Sequence, residues 1–138
     1  LLSIQSAAVV LFTKFVYGVN WGGNAPVVIG TLLLFSAFSV ALGLFIGCAL
    51  HESSKAFAVL FVAMVFSSTV SGAFTPIQQG SVLARIAWLS PNAYAKTALF
   101  ATIYGGNHSD ISSSIATLLV LTVILFTSAI VMKGRTTA

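Results

Sequence analysis

The sequence predicts an all-α fold, a polytopic transmembrane bundle of about four crossing helices with two short outer-surface or re-entrant helices between the last two. The run from Val27 to Leu50 carries no charged side chain and, over about 24 residues, reaches roughly 36 Å as a helix. Of the 138 residues, 58% are hydrophobic and 6% are charged, against about 25% charged in soluble domains. Helices satisfy their own backbone polar groups, as hydrocarbon requires.

The charge pattern and the cysteine content exclude several function classes. The net charge of +4 comes from six scattered cations, with no basic run that could follow a phosphate backbone, so we expect no nucleic-acid partner. The single cysteine, Cys48, excludes an internal disulfide and a cysteine metal cluster. Nucleotide-loop, zincin and nucleophile-elbow motifs are absent, and two acidic residues make a poor acid-base pair. We therefore predict no catalytic, cofactor or metal residues.

The first span is predicted over residues 1–17 and the second over 27–50. Between them lies a cluster of turn formers that ends at Pro26, with Tyr17 and Trp21 placed as interfacial aromatics. Small residues recur in the second span, and Gly43 and Gly47 form a G-x-x-x-G pattern that favours close helix packing. Since the chain begins at Leu1 within an apolar stretch, without the cationic segment of a signal peptide, we expect a fragment.

The third span is predicted over residues 56–71, after a polar hinge from His51 to Lys55. With about 15 apolar residues before Ser71, it is short for an upright crossing of roughly 30 Å. Glycine and proline then interrupt the chain, and helical spacing resumes over residues 80–89. Ser90 and Pro91 predict the N-cap and first position of a helix over residues 91–104, which the glycines after Tyr104 end. The last span is predicted over residues 111–132.

The distribution of cations predicts an orientation in the membrane. With four crossings both ends share one side, and Lys55, Lys133 and Arg135 lie there in short segments. The opposite side carries Arg85 and Lys96 in a long segment. The positive-inside rule counts short cationic loops, so the C-terminus is predicted to be cytoplasmic.

Two stretches between the last two spans resemble one transporter family. The stretch from Val70 to Ile77 (VSGAFTPI) and the stretch from Leu89 to Ala95 (LSPNAYA), with Ala98-Leu99-Phe100 after it, are similar to the ABC type-2 permeases. The order of elements also resembles the C-terminal half of those proteins, over nearly the whole of residues 1–138. The chain departs from the full pattern because the first span, the large external region, the second span and the coupling helix have no counterpart.

The resemblance implies the permease subunit of an ABC exporter in the plasma membrane. Such a subunit forms the translocation path for a lipophilic, peptide, drug or glycan substrate, with drug or lipopeptide efflux the first expectation. Its implied partners are a cytoplasmic ATP-binding-cassette ATPase, a second permease in a homo- or heterodimer, and the bilayer. ATP and Mg would bind the ATPase subunit and not this chain.

The resemblance implies that helix breaks at Ser71, Gly72, Pro76 and Pro91 shape the outer gate. The G-x-x-x-G pattern, independently of it, predicts that Gly43 and Gly47 serve helix packing. Two other readings stay open. The chain could be a non-transporting membrane scaffold, or a fragment of a secondary transporter, although the latter usually needs buried carboxylates.

Overall fold

The computed structural model describes residues 1–18, 20–21, 24–50, 52–73 and 82–136, and all regular secondary structure in these ranges is helical. They include one 3₁₀ turn, Ala87–Leu89, which lies between two α-helices. The α-helices, in chain order, are α1 (Leu2–Tyr17), α2 (Ala25–Leu50), α3 (Ser53–Val70), α4 (Val82–Ile86), α5 (Pro91–Tyr104) and α6 (His108–Thr136).

Three of these helices are long and apolar enough to cross a membrane: α2, α3 and α6. With 26 residues, α2 extends about 39 Å at 1.5 Å per residue. Helix α1 has 16 residues, or about 24 Å, and is the shorter apolar helix of the described chain. The all-α transmembrane bundle predicted from the sequence is confirmed.

Helices α3 and α6 each begin three residues before the span predicted from the sequence. Helix α3 starts at Ser53, with Glu52 in the N-cap position, and it reaches 18 residues, or about 27 Å. Lys55 pairs with Glu52 at 2.6 Å across this first turn. Polar residues suit a first helical turn because its N–H groups lack intrahelical acceptors and can be solvated. Part of the predicted polar hinge is therefore helical.

The turn after α1 folds back onto that helix. Gly18 takes a left-handed conformation, with φ of 63°, and its N–H donates to the Thr13 carbonyl. The indole Nε1 of Trp21 donates to the Thr13 hydroxyl at 3.1 Å. Thr13 thus accepts from two sides of the turn. None of the residues of α1 is buried, so this helix lies at the edge of the bundle.

Helix α2 is the centre of the packing. Its most extensive contact is with α6, and α5 packs against both of them. Small side chains are among its most buried residues: Ala41 of α2 and Ala98 of α5 are fully buried. Small residues allow helix backbones to approach closely, and in lipid this packing replaces the hydrophobic drive between helices. The core of the described chain lies along the α2–α5–α6 contact.

The outer faces of the helices are apolar. On α3, Phe57 is 72% exposed and Met64 is 65% exposed, and the buried residues of that helix are Ala56 and Val70, near its ends. A soluble domain does not expose contiguous apolar surface of this extent. These faces meet the hydrocarbon of a bilayer, so the chain is a multi-pass membrane protein.

Adjacent leucines on α6 test this packing. Leu118 is fully buried and Leu119 is 50% exposed. We expect Leu118→Ala to lower the free energy of unfolding by about 2–5 kcal/mol, because it leaves a cavity in the core. Leu119→Ala, which removes the same atoms from the lipid face, should change it by less than about 1 kcal/mol. Denaturant titration in detergent micelles, followed by circular dichroism, measures both. Equal losses would contradict the assignment of faces.

Candidate functional site

The predicted gate residues fall where α3 ends and α5 begins. Ser71 and Gly72 follow the last residue of α3, and Pro91 is the first residue of α5. Pro76 lies outside the described residues. We call residues 67–73 and 90–96 together the α3–α5 junction. It is the candidate functional site because polar contacts there join segments more than 20 residues apart in sequence.

Helix α3 ends in a Schellman motif. Gly72 is left-handed, with φ of 71°. Its N–H donates to the Thr69 carbonyl at 3.1 Å, and the N–H of Ala73 donates to the Ser68 carbonyl at 3.0 Å. This pair of bonds satisfies two carbonyls that would otherwise lack partners, and it requires a left-handed residue at the second position after the helix. Glycine meets that requirement without steric strain.

Ser90 holds α5 against α3. It occupies the N-cap position that the sequence predicted, with Pro91 after it, but its side chain makes no capping bond to α5. Its Oγ instead donates to the Ser67 carbonyl at 2.8 Å and lies 2.9 Å from the Ser67 hydroxyl. Ser90 is 3% exposed. A buried hydroxyl is strongly favoured to have a partner, and here that partner lies on another helix.

Two further side chains of α5 reach the end of α3. The Asn92 amide donates to the Ser68 hydroxyl at 3.1 Å. The Lys96 ammonium donates to the carbonyls of Ser71 at 3.2 Å and Gly72 at 3.3 Å. A cation at a helix C-terminus is stabilised by the negative end of the helix dipole. Lys96 therefore serves α3 as a C-terminal cap supplied from a different helix.

Sequence reasoning named Ser71, Gly72 and Pro91 but missed the partners on both sides of the junction. Ser67 and Ser68 lie in α3 as part of the polar run from Ser67 to Thr69, at the end of an otherwise apolar segment. That run was a usable signal, because hydroxyls near the end of a membrane helix need acceptors. The role of Lys96 had no such signal, since its acceptors are backbone carbonyls.

A cavity of about 650 Å³ opens beside the junction. We call it the junction cavity. Its walls combine apolar side chains with the polar groups of the junction, and within the described chain Lys96 is its charged member. The lining residues come from α2 (Leu32 and Phe35), the end of α3 (Ser71, Gly72 and Ala73) and α5 (Asn92, Ala95, Lys96, Leu99 and Phe100).

The junction can bind and position groups by hydrogen bonding. Among the residues that the structure describes, no cluster of histidine, cysteine and carboxylate side chains could hold a metal ion. The donors available at the cavity are the Asn92 amide and the Lys96 ammonium. These groups fit a binding or gating surface.

The predicted packing glycines of α2 face open space. A Cβ built at Gly43 or Gly47 meets no heavy atom within 4 Å. Within the described chain, therefore, neither glycine admits a neighbouring helix at close range. Their use in packing against a second chain stays a prediction.

The end of α3 yields a test with a matched control. Gly72→Ala should lower the free energy of unfolding by about 1–2 kcal/mol, because an L residue is strained in the left-handed region. Gly30→Ala should leave it unchanged or raise it by up to about 1 kcal/mol, since Gly30 lies within α2 and its added Cβ meets nothing within 4 Å. Chemical unfolding in micelles compares the two. A neutral Gly72→Ala would contradict the Schellman ending.

The comparison with known families matches the part of the sequence that forms α1 to α5. A family model described as ABC-2 type transporter matches residues 1–104, which extend from α1 to the end of α5. No curated protein and no solved structure matches the chain. The matched region is 104 of 138 residues and includes both stretches that carried the resemblance, so that identification is confirmed. The chain belongs to the ABC-2 type transporter family, as a membrane transport subunit that is not itself catalytic.

Proposed function

We propose that this chain is the membrane-spanning permease subunit of an ABC exporter, powered by a separate ATP-binding-cassette ATPase. The family match over residues 1–104, which include α1, α2 and α3, carries the proposal. The exported substrate would be lipophilic, a peptide, a drug or a glycan. ATP and Mg would bind the ATPase, and a second permease would complete the translocation path.

The placement of the acidic residues supports an external energy source. The chain has two of them, Glu52 and Asp110. Glu52 is exposed before α3 and pairs with Lys55, and Asp110 lies in the first turn of α6. Carriers driven by protons or sodium ions usually place carboxylates or broken helices at mid-membrane. With its carboxylates at helix ends, this chain is better suited to movement imposed by a partner.

We also propose that the α3–α5 junction shapes the outer gate, with Ser71, Gly72 and Pro91 as its helix breaks and Pro76 as a further break between its two segments. In support, Gly72 stops α3 and Pro91 starts α5, and Ser90 bonds the two segments together. Rigid-body movement of a permease can open or close a path where such segments meet. The junction then moves as one unit.

The proposed orientation places the C-terminus of α6 in the cytoplasm of a plasma-membrane protein. Short segments with Lys55, Lys133 and Arg135 would lie on that side. The α3–α5 junction and the turn from α5 to α6 would then face outward.

Reconstitution tests the transport proposal. We expect the intact permease to co-purify with an ATP-binding-cassette ATPase and to raise its ATP hydrolysis in proteoliposomes. Gly72→Ala should lower substrate-stimulated hydrolysis if the junction shapes the gate, and Gly30→Ala should not. A permease that leaves hydrolysis unchanged with every encoded ATPase of its source would contradict the exporter. Transport driven by an ion gradient without nucleotide would favour a secondary transporter instead, and neither activity would favour a scaffold.

Labelling of engineered cysteines tests the orientation. With Cys48 replaced by serine, Lys55→Cys and Asn107→Cys place single thiols at two exposed turns. We expect an impermeant maleimide added outside intact cells to label residue 107 and not residue 55, because the turns lie on opposite sides in the proposed topology. Permeabilised cells provide the control, in which both should react. Labelling of residue 55 from outside would reverse the assignment.

A further inference from the structure

We propose that the junction cavity binds an anionic amphiphile, with a phosphate or carboxylate head at the Lys96 ammonium and hydrocarbon against the apolar wall. The proposal goes beyond the transport function, because it assigns a ligand chemistry to one site. It rests on the charge balance of Lys96, on the composition of the cavity walls and on the position of the cavity at the end of a membrane helix.

The charge of Lys96 is only partly compensated. The side-chain carboxylates of the chain are Glu52 and Asp110. Glu52 pairs with Lys55, and no ion pair joins either carboxylate to Lys96. The acceptors of Lys96 are the carbonyls of Ser71 and Gly72, at the C-terminal end of α3. A helix end supplies about half an elementary negative charge. This partial charge does not neutralise the half-buried ammonium, and an uncompensated cation is unfavourable near hydrocarbon.

The ammonium also keeps a donor for a ligand. It has three N–H groups, and two are directed to the carbonyls of α3. The described chain provides no acceptor for the third. Lys96 lines the junction cavity and also a second cavity of about 380 Å³. A ligand oxygen could therefore reach Nζ without displacing the two helix-capping bonds.

The remaining cavity wall fits a hydrocarbon chain. The apolar part of the wall comes from two helices: Leu32 and Phe35 of α2, and Leu99 and Phe100 of α5. Phe100 also lies beneath the ammonium, with Nζ at 5.8 Å from the ring centroid. The apolar surface directly adjoins the cation, as the head and tail of an amphiphile would require. A free inorganic anion would leave the apolar wall without a contact. The occupant therefore has both an anionic head and a hydrocarbon tail.

Two sources could supply such a molecule: a bilayer phospholipid held permanently, or the exported substrate. Both share the anionic head and the apolar tail that the site recognises. Only the distinction between them rests on the proposed function. Binding itself can be measured on the permease without its ATPase, so failure of the site and failure of the exporter proposal give different results.

Lipid titration in detergent tests the site. The probes are dioleoyl phosphatidylglycerol, dioleoyl phosphatidylcholine and inorganic phosphate, each added to the intact permease in dodecyl maltoside and followed by native mass spectrometry. We expect one tight phosphatidylglycerol per chain, weaker phosphatidylcholine and no competition by phosphate at equal concentration. Lys96→Gln should weaken phosphatidylglycerol binding by about tenfold or more, as expected for loss of a charge-assisted hydrogen bond. Lys96→Arg should retain it.

Control variants separate this result from misfolding and from general charge effects. Lys55→Gln removes an exposed cation that is already paired, and it should leave binding unchanged. Phe100→Ala keeps the cation and opens the apolar wall at a side chain that is 53% exposed. It should weaken both lipids while preserving the preference for phosphatidylglycerol. Circular dichroism checks the helix content of each variant.

Three results would overturn the site: equal affinity for the two lipids, equal losses in Lys96→Gln and Lys55→Gln, or displacement of phosphatidylglycerol by inorganic phosphate. The source is then distinguished with the ATPase present. Release of the bound amphiphile on ATP addition identifies it as transported substrate, and retention through turnover identifies it as bilayer lipid. Both of these outcomes support the site.

Discussion

The structure depends on the requirement that backbone polar groups near hydrocarbon find partners within the protein. Helix interiors satisfy it automatically, and helix ends do not. The end of α3 is where the chain interrupts its helices between two spans. There the Schellman bonds of Gly72 and Ala73, the Ser90 hydroxyl and the Lys96 ammonium together supply the missing donors. Ser90 and Lys96, which donate hydrogen bonds to the carbonyls at the end of α3, also attach α5 to α3. The same contacts therefore satisfy the backbone and hold the two helices together.

Much of the fold was predictable because composition and hydropathy reflect the lipid environment directly. The uncharged run that forms α2, the Ser90-Pro91 start of α5 and the glycine after Tyr104 are local signals, and the structure places helix ends at them. The start of α3 was less predictable. The polar residues from Ser53 to Lys55 indicate a loop by hydropathy. They nevertheless form the first turn of the helix, where water can reach the unpaired N–H groups.

For the contacts at the candidate site, the sequence indicated one of the two partners but not the other. Gly72 predicts a helix end because glycine is conformationally free. Ser67 and Ser90, in contrast, are 23 residues apart, and their hydrogen bond depends on how α5 packs against α3. The capping of α3 by Lys96 is harder still, because its acceptors are main-chain carbonyls that exist at every position. A lysine counted as one of two cations in a long outer segment gives no indication of this contact.

Among the three helices long enough to cross a membrane, α3 is the one whose packing best permits movement. Helices α2, α5 and α6 share a core of fully buried residues such as Ala41, Ala98 and Leu118. Helix α3 buries Ala56 and Val70, and most of its other residues are exposed to lipid, which can solvate them equally well in a shifted position. Its polar attachment to α5 lies at the junction, so displacement of α3 would act on the bonds from Ser90 and Lys96 and would shift the cavity wall at the end of α3. A change at the Ser53 end of α3 could in this way alter the junction cavity at its Val70 end.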